Sequence, residues 1–307
     1  MSSNSAFHAS DLVGRHIPRD MENLKENAFS SRLHIHQIHY DAASRSMLDP
    51  GFIPLDNSSD ARPDWYEFWA IRKYLLTHEL RDDHWYGFLS PKFALKTGLT
   101  SRNVQDLLEI GDQQGANVGL ALCHFNQIAL FWNCFEQGNQ VHPGLTEITE
   151  QWLQECGFDP DIRTIVNHTN NFTYCNYVFA KKAYWMDWLK LAEALFSVAE
   201  GRNCSLKDKI NALTRYTGSE KSTPMKVFIQ ERIPAIVLSR SKFKIITTEH
   251  PGNHHSLSGK TLAHNYSHAF LATLNRLKLW YDVKRDVQYS NEFFQLRKLF
   301  LEASKNQ

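Results

Sequence analysis

Glycine is scarce, with 14 in 307 residues, which disfavours an architecture built on many glycine-rich loops. Cysteine is scarce too: Cys123, Cys134, Cys156, Cys175 and Cys204 are odd in number, widely spaced and never arranged as Cys-x-x-Cys. That pattern is neither a disulfide framework nor a zinc knuckle, and it points to a reducing compartment. Neither sign of charge dominates, since 34 basic residues face 33 acidic ones. A dedicated nucleic-acid binder needs a basic stripe to neutralise phosphates, so the balance argues against one. Long apolar runs are missing as well. The N-terminal MSSNSAFHASDLVGRHIPRD has no apolar core of a signal peptide. The most apolar stretch, 117–132, is broken by His124, Asn126 and Gln127, which rules it out as a membrane span. The expected location is cytoplasmic. What the chain does have is aromatic surface: 19 Phe, 11 Tyr and 8 Trp, within 42% hydrophobic and 22% charged residues. This is ordinary globular usage, enough for one large domain or two modest ones.

Period-two alternation predicts a strand over 33–40, with Leu33, Ile35 and Gln37 on one face. Further strands are expected at 52–55, 85–89, 116–123, 172–179 and 243–248. Helices are expected over 64–78, 101–110, 125–136, 145–156, 182–200, 226–239, 261–281 and 291–303, with Pro234 kinking or restarting the sixth. Strands alternating with helices indicate an α/β domain. The predicted organisation is a tail over 1–31, a domain over 32–250 and a basic helical extension over 251–307. The extension carries 8 basic and 4 acidic residues, against 26 and 29 before it. Such a tail suits an anionic membrane surface or a phosphate-bearing substrate, and equally a solvated amphipathic helix.

Several motifs are weak. His34 and His36 share a strand face, and His264 and His268 stand at i,i+4, but no third metal ligand is positioned by sequence. These read first as structural or surface histidines. The stretch from Gly252 to Thr261 imitates a phosphate-binding P-loop, yet six residues separate its glycines where four are needed. Asp159-Pro160-Asp161 has the letters of a metal–diphosphate clamp but starts an element instead of ending one, which suits a turn.

Two places carry more. Asp56 and Asn57 end an apolar run, where ligand sites of α/β sheets collect, and Glu67 follows on an apolar helix. Glu231 and Arg232 interrupt another apolar helix, Val227 to Pro234. A charge there needs a partner or a function, and the pattern leaves both open.

Four segments, in order, resemble a family of bacterial glycosyltransferases that build capsule and lipopolysaccharide O-chains. The family's Asp-Asn-x-Ser-Asp-x-x-Pro-x-x-x-Glu is matched in spacing by Asp56-Asn57-Ser58-Ser59-Asp60-Ala61-Arg62-Pro63-Asp64-Trp65-Tyr66-Glu67. Its Tyr-x-Gly-Leu strand, followed by basic and aromatic residues, is similar to Trp85-Tyr86-Gly87-Phe88-Leu89-Ser90-Pro91-Lys92-Phe93, here without the family's His-Tyr-Arg-Arg. Its Asn-x-x-x-x-Lys segment entering a Trp-bearing helix resembles Asn176 to Lys181 with Trp185 or Trp188, and its late Phe-x-x-Glu-Arg-Leu helix resembles Phe228 to Ile233. The resemblance implies a GT-A-like, Rossmann-type mixed sheet flanked by helices, acting on a nucleotide-diphosphate sugar as donor. The acceptor would be a glycan or a lipid-linked precursor, with peripheral contact at the inner face of a membrane and no nucleic-acid partner. Dependence on Mg or Mn stays open. Under this resemblance Glu231 or Glu67 supplies the catalytic carboxylate. Arg72, Arg232 and Lys92, with Lys96 as a substitute, would face the diphosphate, and Asp56 and Asn57 the nucleoside. Tyr66, Trp69 and Trp85 offer stacking faces, while Asn176 and Lys260 stand on the acceptor side. The alternatives are a carbohydrate-binding or assembly protein of the same fold without catalysis, and a hydrolase using a histidine-bound metal.

Overall fold

A computed structural model describes residues 29–59, 62–202, 204–215, 222–240, 242–248 and 268–303. Six strands form one mixed sheet: β1 (Leu33–His39), β2 (Ile53–Asp56), β3 (Trp85–Leu89), β4 (Val118–Leu120), β5 (Val178–Ala180) and β8 (Ile245–Thr247). Their order is β2-β1-β3-β5-β4-β8, and only β5 runs against the rest. The carboxyl ends of the five parallel strands therefore share one edge with the start of β5. A separate two-stranded ribbon, β6 (Leu213–Arg215) and β7 (Ser222–Pro224), has no predicted counterpart.

Both faces of β1 are buried, as a strand in a helix-covered parallel sheet requires. Ile35 joins Phe52, Trp85, Phe93, Val104 and Leu108 under one layer, while Ile38 joins Phe68, Ile71 and Trp188 under the other. The sequence reads His34 and His36 as structural or surface histidines; His36 is buried between Tyr74 and Phe88, with both ring nitrogens lacking a hydrogen-bond partner among the described residues. Burial pushes its pKa down to about 4, which keeps the ring neutral. His34 differs, its Nε2 lying 2.7 Å from His84 Nδ1.

The helices are α1 (Ala42–Ser46), α2 (Glu67–Thr77), α3 (Phe93–Thr97), α4 (Ser101–Gln113), α5 (Phe125–Leu130), α6 (Cys134–Val141) and α7 (Leu145–Glu155). They continue with α8 (Lys182–Glu200), α9 (Ser205–Asn211), α10 (Met225–Gln230), α11 (Ile233–Arg240), α12 (His268–Lys284) and α13 (Val287–Ala303). Two expected helices are split, each for a local reason. The Asn133 carboxamide accepts the N–H groups of Phe135 and Glu136 and so begins α6, cutting 125–136 in two. The same side chain donates to the carbonyls of Ile162, Arg163 and Ile165, fixing the next loop beneath it. Pro234 occupies the first turn of α11, where its missing N–H costs nothing, so 226–239 restarts there and does not merely bend. Glu231 and Arg232 consequently stand at the corner between α10 and α11.

Helices α12 and α13 form a hairpin on α5, with Leu271, Leu274, Leu277 and Phe293 against Ala129, Leu130 and Phe131. Arg297 makes a two-pronged pair with Glu136 and donates to Leu130 O, and the buried Lys278 ammonium donates to the carbonyls of Ile128 and Phe131. Among the described residues no helix is long and apolar enough to cross a membrane.

Candidate functional site

The carboxyl edge of the sheet collects the polar groups. The β4–β5 pairing brings Ala121 to His124, which follow β4, beside Tyr174 to Tyr177, which precede β5; Ala121 N–H donates to Tyr177 O at 3.1 Å. Just after β3, Ser90 Oγ lies 2.8 Å from Tyr177 Oη, and Gln37 within β1 donates to Ser90 O. Helix α3 then carries Lys96 inward, its ammonium 3.2 Å from Cys175 Sγ. Asn176 donates to Gln230 Oε1 at 3.2 Å, which ties this edge to the α10–α11 corner and Glu231. Asn57, after β2, is buried; its N–H donates to His39 O, and its carboxamide lies 3.5 Å from Tyr66 O at the start of α2.

Backbone strain concentrates here. Tyr66 (φ 49°), His124 (φ 54°), Cys175 (φ 63°) and Asn176 (φ 56°) all occupy positive φ, a conformation costing about 1–3 kcal/mol for a residue with a side chain. Arg285, in the turn between α12 and α13, is the other such residue described.

The electrostatics are equally unbalanced. Glu231 retains a minor exposed surface, yet its carboxyl lies deep among protein atoms. Burial raises its pKa to about 7, with the Cys175 and Glu67 charges adding to the rise and Arg232 and Lys96 opposing it. Cys175 is held well below the usual thiol range, chiefly by the Cys123 thiol donating to it and then by His124 and Lys96. Cys123 itself is pushed up by burial. Burial disfavours the Lys96 cation, but the sulfur of Cys175 outweighs it and holds the ammonium above its ordinary value. Glu67 and Glu231 thus share one field with Lys96, and among the described residues neither carboxylate is closed by an ion pair.

Glu67, Glu231, Asn176, Asn57 and Tyr66, all expected at a site, therefore belong to this edge. Other expected residues lie elsewhere or, like Asp56 at the end of β2 and Lys92 after β3, stand at this edge but are exposed to solvent. Arg72 forms a two-pronged pair with Glu193 and lies over the Phe196 ring, on the outer layer of helices. Trp69 is in the same stack, between Arg62, Arg72 and Phe196. Trp85 is buried at the opposite end of β3, its indole N–H donating to Asp112 at 3.3 Å. Arg232 turns away from Glu231 and spends its guanidinium on Cys134 O, Phe228 O and Gln137 Oε1. It lies so close to α6 that a Cβ on Gly138 would stand 2.6 Å from its Nε. Lys92 is exposed at the start of α3, and Asp56 is exposed, accepting from Ser58 N–H and 3.8 Å from His39 Nδ1. Lys260, Asp60 and the 252–261 loop lie outside the described residues.

The Asp159 carboxylate accepts the Asp161 N–H at 3.0 Å, the turn its sequence suggested. Both aspartates line a separate cavity of about 550 Å³ with His168, Arg240, Asp282 and Arg285, to which none of Glu67, Lys96, Cys175 and Glu231 contributes.

Cys123, His124, Cys175 and Tyr177 went unmarked by the sequence. Their signal is a pairing across 52 residues that only the β4–β5 register creates. No family model, curated protein or solved structure matches the chain.

Proposed function

We propose that the chain is a glycosyltransferase of GT-A-like architecture, moving a sugar from a nucleotide-diphosphate donor to a glycan or lipid-linked acceptor. The carrying observation is Glu231: a deeply set carboxyl raised to about 7 by burial, on a residue that keeps a minor exposed surface, at the ligand-collecting edge of a mixed sheet and in the field of Lys96 and Glu67. A base titrating near neutrality is matched to removing a proton from an acceptor hydroxyl. In the reaction the acceptor oxygen bonds to the anomeric carbon, the carbon–oxygen bond to the diphosphate breaks, and the acceptor proton goes to Glu231. The leaving diphosphate keeps the electron pair and is countered by Lys96. The carboxamides of Asn57, Asn176 and Gln230 are suited to sugar hydroxyls. Asp159 and Asp161 do not fit a diphosphate-bound Mg or Mn at this edge, because they face the other cavity.

The test is thermal unfolding with UDP-, GDP-, dTDP- and CMP-sugars, with and without Mg or Mn, followed by donor turnover on the sugar that shifts the midpoint. A ligand that binds only the folded chain raises its apparent stability. The expected result is a shift with one nucleotide class and slow donor hydrolysis. No shift with any of them overturns the proposal. Arg72 and Arg232 being committed to Glu193 and to α6 favours one second reading, a sugar-binding protein without transfer. It predicts a shift with a sugar or glycan and no turnover.

A further inference from the structure

We propose that Cys123, His124 and Cys175 form a zinc site with three protein donors, joining the loop after β4 to the loop before β5. The donor atoms of the three side chains lie within 4.8 Å of one another. Around a tetrahedral zinc with Zn–S near 2.3 Å and Zn–N near 2.0 Å, donor atoms stand about 3.4–3.8 Å apart. Closing the site therefore takes shifts of about 1 Å in side chains, with no refolding of either loop. Two sulfurs and an imidazole are the soft and borderline donors zinc prefers, whereas Mg and Ca take oxygen.

The surroundings are those of a ligand set held in place. Cys123 is buried, its sulfur 3.4 Å from Tyr174 O, so one donor atom is rooted in the core. His124 and Cys175 stand at φ 54° and 63°, in the left-handed region, on loops fixed by the antiparallel register of β4 and β5. The Lys96 ammonium at 3.2 Å from Cys175 Sγ is an outer donor to a sulfur ligand, of the kind that orients metal thiolates. Zinc would displace the Cys123 thiol proton to solvent, and its charge would balance the two thiolates. Three protein donors leave the fourth position to water or to an oxygen of a bound molecule. The three metal ligands are none of the groups assigned to sugar transfer; Lys96, which borders both, is the residue the two readings share.

The experiment uses the full chain, reduced and stripped with a chelator, titrated with Co(II) and then with Zn(II), without any nucleotide sugar. One equivalent of cobalt should give thiolate-to-metal charge transfer in the near ultraviolet and the intense visible bands of a tetrahedral site, displaced by zinc. Cys175→Ser and His124→Asn should each weaken uptake at least about 100-fold; asparagine is chosen because it tolerates positive φ. Lys96→Met should weaken it about 10-fold, and Cys204→Ser, at an exposed thiol, should change nothing. Circular dichroism and the unfolding midpoint establish that each variant is folded; if Cys175→Ser is not, His124→Asn decides. Absence of cobalt uptake by the reduced chain, or a spectrum that survives folded His124→Asn, overturns the proposal. So does a Cys123–Cys175 disulfide whose reduced form takes no metal. Metal binding with no response to any nucleotide sugar would keep the zinc site and remove the glycosyltransferase.

Discussion

The two edges of the sheet treat charge in opposite ways. At the amino edge Asp112 accepts from Arg32 and Lys181, both at 2.9 Å, and from the Trp85 indole, so one carboxylate closes the starts of β1 and β3 and the end of β5. At the carboxyl edge Glu67 and Glu231 stand near Lys96 without an ion pair, amid four residues at positive φ. The groups that meet at Asp112 at the first edge favour the fold. The second holds groups that would be more comfortable elsewhere, and such groups persist where the surrounding structure overrules them. The closed ion pairs and the strained residues are separated by about the length of a strand.

The sharpest way to break this comparison is Glu231→Gln. Turnover should fall on the order of 10²–10⁴-fold, as for loss of a general base, in the donor assay described above. Turnover that stays unchanged would move the catalytic role to Glu67. Stability answers a different question, because the hydrogen bonds of Arg232 go to two carbonyls and Gln137 and none goes to Glu231. Arg232→Met should therefore be the destructive change at this corner, costing about 3–4 kcal/mol in chemical unfolding by stranding those acceptors. A smaller loss would mean that α6 and the α10–α11 corner are held by other contacts.

The sign of the pH dependence sharpens the contrast. Glu231 has a folded pKa of about 7, above its unfolded value near 4.5, so the folded chain binds the extra proton between them. Stability from this group is complete below about pH 4.5 and is lost as pH rises through 7. Relative to the parent, Glu231→Gln should thus be nearly neutral in stability at pH 4 and stabilising by about 3 kcal/mol at pH 8. Lys96, Glu67, Cys175 and Arg232 face or adjoin this carboxyl and set the midpoint. Asp112 has the opposite sign. Burial alone would raise its pKa, but Lys181 and Arg32 outweigh it and hold the carboxyl below its usual range. Its contribution is present above the ordinary aspartate pKa and fades as acid is added. Asp112→Asn should cost about 1–2 kcal/mol at pH 7, a gap that narrows toward pH 3 in paired unfolding curves. Smallest of all is Arg163→Ala. Its pairs with Glu147 and Glu150 are exposed on α7, and removing them should change the unfolding free energy by less than about 1 kcal/mol.

What could be read from the sequence follows from how local each feature is. β3 and α8 were expected at the residues they occupy, because Trp85–Leu89 and Lys182–Glu200 announce themselves by composition and length. The α5–α6 break was hidden, since an asparagine in mid-helix and one that caps a new helix have the same letter. What decides between them is the loop at 162–165 that Asn133 also holds. Glu231 stood out because a charge in an apolar run is locally anomalous. Its neighbour Arg232 stood out equally and was assigned to the diphosphate, and nothing local distinguishes the one facing Lys96 from the one buried against Gly138. Cys123 and Cys175 were invisible as a pair, because the register of two short strands brings them together.

The docking of α12 and α13 has a consequence in time. Helix α5, which begins directly after His124, is gripped at Ile128, Leu130 and Phe131 by Lys278 and Arg297. During synthesis β1 to β5 are made well before those two residues exist, and β8 follows shortly before Lys278. At about 5–20 residues per second, the wait from His124 to Arg297 is on the order of ten to thirty seconds. Throughout that interval one wall of the carboxyl edge lacks its outer support. Ribosome-bound intermediates that end before Arg297 should therefore hold α5 and the edge beside it less firmly than the full chain does.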